Sequence, residues 1–137
     1  MKNTPFDENL WNDIHTLWNN LSSELTNESI KNNTAIKATR DVYKALGKDA
    51  NRYRPSAEAL LRRITKNQEL YKINTLVDLI NLISIQTGYS IGGFDYNKIQ
   101  GNTLILGAGK NGEAFEAIGR GPLNIEGLPV YLSLIHI

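Results

Sequence analysis

The residues with the clearest chemical signature form a glycine-rich run, GAGKNG at residues 107–112, directly after an apolar stretch. The G-x-G-x-x-G spacing is typical of dinucleotide-binding turns, because glycines let the backbone approach a pyrophosphate. That fold also needs a full crossover helix after the motif and further strand–helix units, whereas only 25 residues follow Gly112. Because Asn111-Gly112 is a strong turn signal between paired strands, the run predicts a β-hairpin, and we expect no cofactor.

Other residues with catalytic or metal-binding chemistry are sparse. The chain has no Cys and two His, His15 and His136, at opposite ends of the sequence. Without thiolates, and with no partner for either His at metal-ligand spacing, we expect no disulfide, no cysteine nucleophile and no metal site. Glu113 and Glu116 are close in sequence, but on an expected turn this proximity does not define an acid–base pair.

A basic segment occupies the middle of the chain. Residues 31–72 carry eleven Lys and Arg against four Asp and Glu, a net charge of +7 in a chain whose overall charge is +1. Such a segment can attract a polyanion such as RNA. The same composition is typical of solvated helices with long cationic side chains, so charge alone leaves both interpretations open.

Four helices are predicted in the first two thirds of the chain. Apolar residues recur every three or four positions over residues 6–25, which predicts an amphipathic helix. A polar linker is expected over residues 27–33, and a second helix over residues 35–46, ended by Gly47. A third helix should begin at Pro55 and Ser56, with the Ser56 hydroxyl as its cap. The fourth should be a buried central helix that begins with a capping Thr75 and ends at Gly88.

Short β-type runs follow Gly88, where ten of the eleven glycines lie. Strands are predicted over residues 103–106, 123–125 and 130–132, because turn signals separate these apolar runs. Helices grouped before strands predict an α+β fold, with N-terminal helices and a buried central helix packed on a mainly antiparallel or mixed sheet.

The chain carries no apolar segment of the kind that directs a protein to a membrane. No run approaches the ~18–20 apolar residues that span a bilayer, and no apolar core of a signal peptide follows the first residues. We therefore expect a cytoplasmic protein without membrane contact, built as one domain because 137 residues suit a single core.

Three stretches of sequence, residues 38–63, 73–95 and 118–131, are specific enough to indicate a family. They include the segments YKALGKD at residues 43–49, VDLIN at residues 77–81, GGFD at residues 92–95 and GRGPLNIEGLPVY at residues 119–131. Over about residues 34–131, the chain resembles the freestanding B3/B4-domain proteins. Those are small bacterial relatives of the editing domain in the phenylalanyl-tRNA synthetase beta subunit.

The resemblance implies a module that recognises the aminoacylated 3′ end of tRNA. In the synthetase, this domain hydrolyses tyrosine wrongly attached to the phenylalanine tRNA. An aminoacyl ester is already activated, so a positioned water and oxyanion donors suffice without a metal or a thiol. The resemblance therefore predicts a trans-editing aminoacyl-tRNA deacylase. A non-catalytic tRNA- or RNA-binding module and a binder of amino-acid-like metabolites remain open.

Candidate substrate-binding residues follow from the resemblance position by position. Asn81 matches the Asn of the synthetase's Val-Asp-x-x-Asn helix, which lies in its editing pocket; the alternative is an Asn that bridges buried backbone. Gly92 stands where the synthetase has a His, and with Gly93 it either permits a turn or lets backbone N–H groups approach a ligand. Asn74 is a further candidate. No catalytic residue is assigned.

Candidate RNA-binding residues are all arginines and lysines. Arg120, between two glycines, can present its guanidinium to a phosphate. The basic surface expected to steer the tRNA consists of Arg52, Arg54, Arg62, Arg63 and Lys66.

The family pattern ends at Tyr131. The family continues there through further strands that supply an acidic site residue, whereas this chain ends in the apolar residues 132–137. We expect the reading frame to be truncated and residues 132–137 to be foreign to the family. The expected organisation is thus a helix and linker over residues 1–33, the B3/B4-like domain over residues 34–131, and a short tail.

Overall fold

The computed structural model describes residues 2–117 and 121–133, with only the backbone described at positions 117 and 133. The chain divides into two compact units. The first, here the helical unit, comprises Met1–Arg40 and Arg54–Gly93. The second, here the strand unit, comprises Asp41–Tyr53 and Phe94–Ile137. Helices precede strands along the chain, which confirms the predicted α+β class.

Five α-helices are present in the described part of the chain, and four of them match the predicted ones. Asp7 begins the first helix, because its carboxylate accepts a hydrogen bond from the backbone N–H of Leu10 at 2.8 Å. The helices are α1 (Glu8–Ser22), α2 (Asn27–Asn32), α3 (Thr34–Ala45), α4 (Ser56–Thr65) and α5 (Thr75–Thr87).

The short helix α2 lies where a polar linker was expected, so that prediction was wrong. Thr26 and Ser29 cap its first turn reciprocally, each hydroxyl accepting from the other residue's backbone N–H at 3.1 and 3.0 Å. Such a capping pair satisfies two donors that a six-residue helix would otherwise leave open. Ile30, 1% exposed, anchors the helix in the core, which a count of polar residues does not reveal.

The helical unit has one apolar core to which all five helices contribute. The α5 helix supplies Leu82 and Ile85, although Ile83 on its other side is 39% exposed. The predicted central helix is therefore buried along one side only. The other core residues are Trp11, Ile14, Ile30, Ile36, Ala57, Leu61, Ile64 and Leu70.

Two buried carboxylates connect the helices. Glu58 of α4, with no exposed surface, accepts from Arg40 of α3 at 2.8 Å and from Arg62 of α4 at 2.9 Å. Asp78 of α5 is 1% exposed and accepts from the indole N–H of Trp11 in α1 at 2.9 Å. A buried charge is tolerated only when it is paired and hydrogen-bonded, so these contacts fix how the helices meet.

Two predicted helix caps are wrong. Asn74, not Thr75, caps α5, because the Asn74 Oδ1 accepts from the backbone N–H of Val77 at 3.0 Å. The hydroxyl of Ser56 does not cap α4, whose N-cap position is held by Pro55 without a side-chain hydrogen bond.

The described part of the strand unit contains two separate antiparallel ladders. Strand β1 (Leu104–Ala108) pairs with β4 (Pro129–Ser133), with Leu106 opposite Tyr131. Strand β2 (Glu116–Ala117) pairs with β3 (Gly121–Pro122). The predicted strands at residues 103–106 and 130–132 are confirmed.

The expected hairpin at Asn111-Gly112 is wrong, because β1 pairs with β4 and not with the segment that follows the turn. The backbone of Gly109 instead bonds to the loop before β4, with its N–H donating to the carbonyl of Leu128 at 2.8 Å. The described elements that follow GAGKNG are strands β2, β3 and β4, whereas a dinucleotide fold requires a crossover helix there.

The predicted strand at residues 123–125 is not formed. The Asn124 side chain accepts from the backbone N–H of Glu126 at 3.0 Å and so turns the chain where a strand would have continued. Within residues 2–117 and 121–133, none of the helices has the length and apolar character needed to cross a bilayer.

Replacing Gly88 by Ala is expected to cost more stability than replacing Gly47 by Ala. Both glycines follow a helix with a left-handed φ, +77° and +79°, so both variants lose about 1 kcal/mol from backbone strain. A Cβ at Gly47 meets no atom within 4 Å, whereas one at Gly88 would crowd the Asn33 side chain. That side chain caps α3 through the backbone N–H groups of Ala35 and Ile36.

Displacing Asn33 should therefore add about 1 kcal/mol for a lost cap to the cost of Gly88→Ala. Urea unfolding of both variants measures the difference. Equal losses would show that the Asn33 cap does not depend on the absence of a side chain at residue 88.

Candidate functional site

The segment after α5 folds back along that helix. Gly88 ends the helix in a left-handed conformation, and the Ser84 hydroxyl donates to the carbonyl of Tyr89 at 2.6 Å. At the other end of the segment, the Cβ position of Gly93 lies 3.2 Å from the Cδ1 atom of Ile80. The Cβ position of Gly93 is therefore in contact with the residue that precedes Asn81, and we call Asn81, Gly92 and Gly93 the Asn81 group.

Asn81 is half-buried and its amide makes no hydrogen bond to any residue that the structure describes. The alternative considered from sequence, an Asn that bridges buried backbone, has no supporting contact among those residues. An amide held at a helix surface with its donors and acceptor available is what recognition of a polar ligand requires.

Gly92 and Gly93 are exposed and have no left-handed φ, so a turn is not the reason for these glycines. Their backbone N–H groups donate to no described residue. Adjacent amides of this kind can stabilise a negative oxygen. Next to them, the Ser90 hydroxyl accepts from the backbone N–H of Ala57 at 3.3 Å and ties the segment to the first turn of α4.

Asn74 does not join this group. Its side-chain oxygen is engaged as the cap of α5, and it precedes Asn81 by seven residues, about 10 Å along a helix. Asn74 is thus the N-cap of α5, whereas Gly93 lies against Ile80, the residue before Asn81. The role of Asn74 in substrate binding stays a prediction.

Two of the arginines predicted to contact RNA are engaged in the fold. Arg62, 12% exposed at its side chain, pairs with Glu58 and donates to the Oδ1 of Asn27 at 3.2 Å. Arg63 donates to the backbone carbonyl of Glu69 at 2.8 Å and lies over the ring of Tyr71 at 4.2 Å.

The side chains of Arg54 and Lys66 are exposed and make no hydrogen bond or ion pair with a described residue. Arg52 belongs to the strand unit and lies 5.5 Å from the ring of Tyr53, as an exposed cation on an aromatic face. Arg120 lies outside the described residues. Of the basic set, the helical unit therefore offers Arg54 and Lys66 as the cations with their charge uncompensated in the described part of the chain.

A groove in the helical unit was not predicted from the sequence. The groove has a volume of 540 Å³ and lies between α1 and residues 67–72. Trp11, His15 and Trp18 follow one side of α1 at spacings of four and three residues, which was the available signal. The contribution of residues 67–72 is a tertiary contact that no local pattern announces.

Potential metal ligands are dispersed. Among residues 2–117 and 121–133, no three His, Asp or Glu side chains lie close enough to hold an ion. In the strand unit, burial raises the pKa of the Tyr43 phenol, because desolvation disfavours its anion. Tyr43 therefore stays protonated at neutral pH and does not serve as a base there.

One comparison with known proteins gives a match. The family model described as the B3/4 domain matches residues 38–131, which include Asn74, Asn81, Gly92 and Gly93. No curated protein and no solved structure matches the chain significantly. The helix α1 lies entirely before the matched residues.

Arg62→Ala is expected to lower the free energy of unfolding by about 2 kcal/mol, since it leaves the buried Glu58 with Arg40 alone. Lys66→Ala, one turn further along, should change stability by less than about 0.5 kcal/mol because its side chain is exposed. Chemical denaturation of the two variants provides the comparison. A similar small effect for both would mean that Arg62 is available for a phosphate after all.

Proposed function

The chain belongs to the B3/4 domain family, a module related to phenylalanyl-tRNA synthetase, and from this we propose that it hydrolyses mischarged aminoacyl-tRNA in trans. The observation that carries the proposal is the family match over residues 38–131, which contains the positions expected to form the substrate site. The amide of Asn81 and the backbone N–H groups of Gly92 and Gly93, which have no partner among the described residues, support it.

In this mechanism, water attacks the ester carbonyl carbon, and the bond to the ribose oxygen then breaks. The products are the free amino acid and a tRNA whose terminal hydroxyl is restored. The backbone N–H groups of Gly92 and Gly93 donate to the oxygen that becomes negative in the tetrahedral intermediate. Asn81 donates to and accepts from the aminoacyl moiety and so selects the amino acid by hydrogen bonding.

Water activation cannot use an imidazole at position 92 of this chain. Gly92 stands where the related synthetase domain has its His, so the proton of the attacking water reaches the leaving ribose oxygen by relay through solvent or the neighbouring ribose hydroxyl. Because an aminoacyl ester is already reactive, positioning and oxyanion stabilisation provide the rate enhancement.

A second candidate function is binding of the aminoacyl-tRNA end, or of an amino-acid-like metabolite, without hydrolysis. The glycine at position 92 favours it, since a site without a titratable side chain at that position can bind a ligand and leave it intact. Salt dependence separates the two ligands, because phosphate contacts make affinity fall steeply with salt.

Asn81→Ala is expected to reduce deacylation by about 10- to 100-fold, as the loss of one well-placed hydrogen-bonding group typically does. The assay incubates the chain with a panel of correctly and wrongly charged tRNAs and measures released amino acid over a control without protein. Gln86→Ala, an exposed amide on the same helix, is the matched control and should retain full activity.

Three results would contradict this proposal or redirect it. No release by the folded wild-type chain removes the enzyme and leaves the binding module. Equal activity of the Asn81→Ala and wild-type proteins places the substrate site elsewhere. Release of every amino acid at the same rate would mean that the site does not discriminate.

Arg54→Ala and Lys66→Ala are each expected to weaken tRNA binding and to lower the slope of log affinity against log salt by about 1, since each removes one phosphate contact. Lys110→Ala, an exposed lysine of the strand unit, is the comparison variant. Filter binding from 50 to 200 mM salt gives the slopes. Unchanged slopes for both Arg54→Ala and Lys66→Ala would exclude these two side chains from the interface.

A further inference from the structure

The groove between α1 and residues 67–72 has the lining of a binding site distinct from the Asn81 group. Its floor is apolar and well packed, since Ile14 and Leu70 are 3% and 7% exposed. A volume of 540 Å³ lies within the range of small-molecule and nucleotide pockets. Because α1 precedes residues 38–131, one side of the groove lies outside the family match and the other side, residues 67–72, lies within it.

Two indoles give the groove an aromatic wall. Trp11 is 5% exposed, and its N–H donates to Asp78, so this ring is immobile. The ring of His15 meets it edge-on at 5.6 Å. Trp18 is only half-buried, and its indole N–H donates to no described residue. Trp18 therefore packs against the core with part of its ring and presents the rest, with an unused donor, to the groove.

The polar lining consists mainly of side chains that both donate and accept. Asn19 of α1 and Asn67 are exposed and make no side-chain hydrogen bond to a described residue. Asn67 has a left-handed φ of +52°, and its backbone N–H donates to Ile64 at 3.0 Å as α4 ends. The backbone that carries this amide is thus fixed by the end of the helix.

Lys72 is a cation in the lining of the groove. The Nζ of Lys72 is 4.9 Å from the centre of the Trp11 ring and 5.6 Å from that of Phe6. Within the described residues it forms no ion pair, so aromatic faces and not a carboxylate hold it. A cation positioned in this way is suited to a phosphate.

We propose that this groove binds one unpaired nucleotide of an RNA. The base stacks on Trp18, the amides of Asn19 and Asn67 bond to its edge, and Lys72 contacts a phosphate next to it. Stacking on aromatic rings together with hydrogen bonds to base edges is how proteins recognise unpaired RNA. Glu69, also in the lining, can accept from an exocyclic amino group.

The inference rests on the proposed function in one respect, that the partner of this chain is an RNA. The groove adds a second point at which the RNA is attached to this chain. The hydrogen bond from Trp11 to Asp78 links the aromatic wall of the groove to α5, three residues before Asn81. An RNA held at the groove is therefore bound by the same packed unit that carries the Asn81 group.

Intrinsic fluorescence tests the proposal directly, because Trp11 and Trp18 are the two tryptophans of the chain. The probes are the four nucleoside monophosphates, a single-stranded ten-residue RNA of mixed sequence, and free phenylalanine and tyrosine. We expect saturable quenching by the oligonucleotide, and at least about tenfold weaker binding by Trp18→Leu, as loss of a stacking platform gives.

Two smaller substitutions keep the test independent of folding. Asn19→Ala should weaken binding several-fold, whereas Asn20→Ala, the neighbouring exposed residue outside the lining, should not. Asn67→Gly removes the second amide and keeps a residue suited to the left-handed conformation. Urea midpoints of all variants confirm that each one is folded.

Equal affinity of wild type, Trp18→Leu and Asn19→Ala for the oligonucleotide would overturn the inference, and so would quenching by free amino acids alone. Deacylation is measured in the same variants. Quenching without deacylation supports the groove and rejects the proposed enzyme, whereas deacylation without quenching rejects the groove and leaves the enzyme.

Discussion

A carboxylate removed from water must be surrounded by donors, and at Asp78 this requirement organises the helical unit. One oxygen accepts from the indole of Trp11 and the other from the backbone N–H of Ile73 at 3.0 Å. Because an unpaired charge in an apolar interior costs several kcal/mol, α1 cannot slide along α5 without losing this bond. The position of Asn81, one turn further along α5, and the floor of the groove under Trp11 both follow from it.

Glu58 fixes α3 against α4 in the same way, and it also reduces the positive charge that the basic segment exposes. Its pairing with Arg40 and Arg62 withdraws two of the eleven positive charges of residues 31–72 into the structure. Contacts to Glu69 and Tyr71 engage Arg63 as well. The positive field around the basic segment is therefore weaker and more localised than the composition suggests.

Local patterns predicted the parts of this fold that local physics determines. The α1 periodicity, the left-handed glycines after α3 and α5, and the apolar runs of β1 and β4 were all readable from the sequence. Contacts between residues far apart in the sequence could not be predicted in this way. The partner of β1 is 25 residues away, because the Asn124 turn and the bonds of Gly109 displace the nearer segment. For the candidate site, the family resemblance predicted Asn81 and Gly92. The groove could not be predicted, because it depends on contacts between α1 and residues 67–72.

The division of the chain into units also bears on the order in which it forms during synthesis. Every residue of the helical unit precedes residue 94, although residues 41–53 interrupt it. Both buried carboxylates and all their partners are thus available while β1 to β4 have still to emerge from the ribosome. Domains fold as units from the N-terminus, so the helical unit folds first and β1 pairs only after β4 has been synthesised. A nascent chain that stops between these two events already carries Asn81 and the groove.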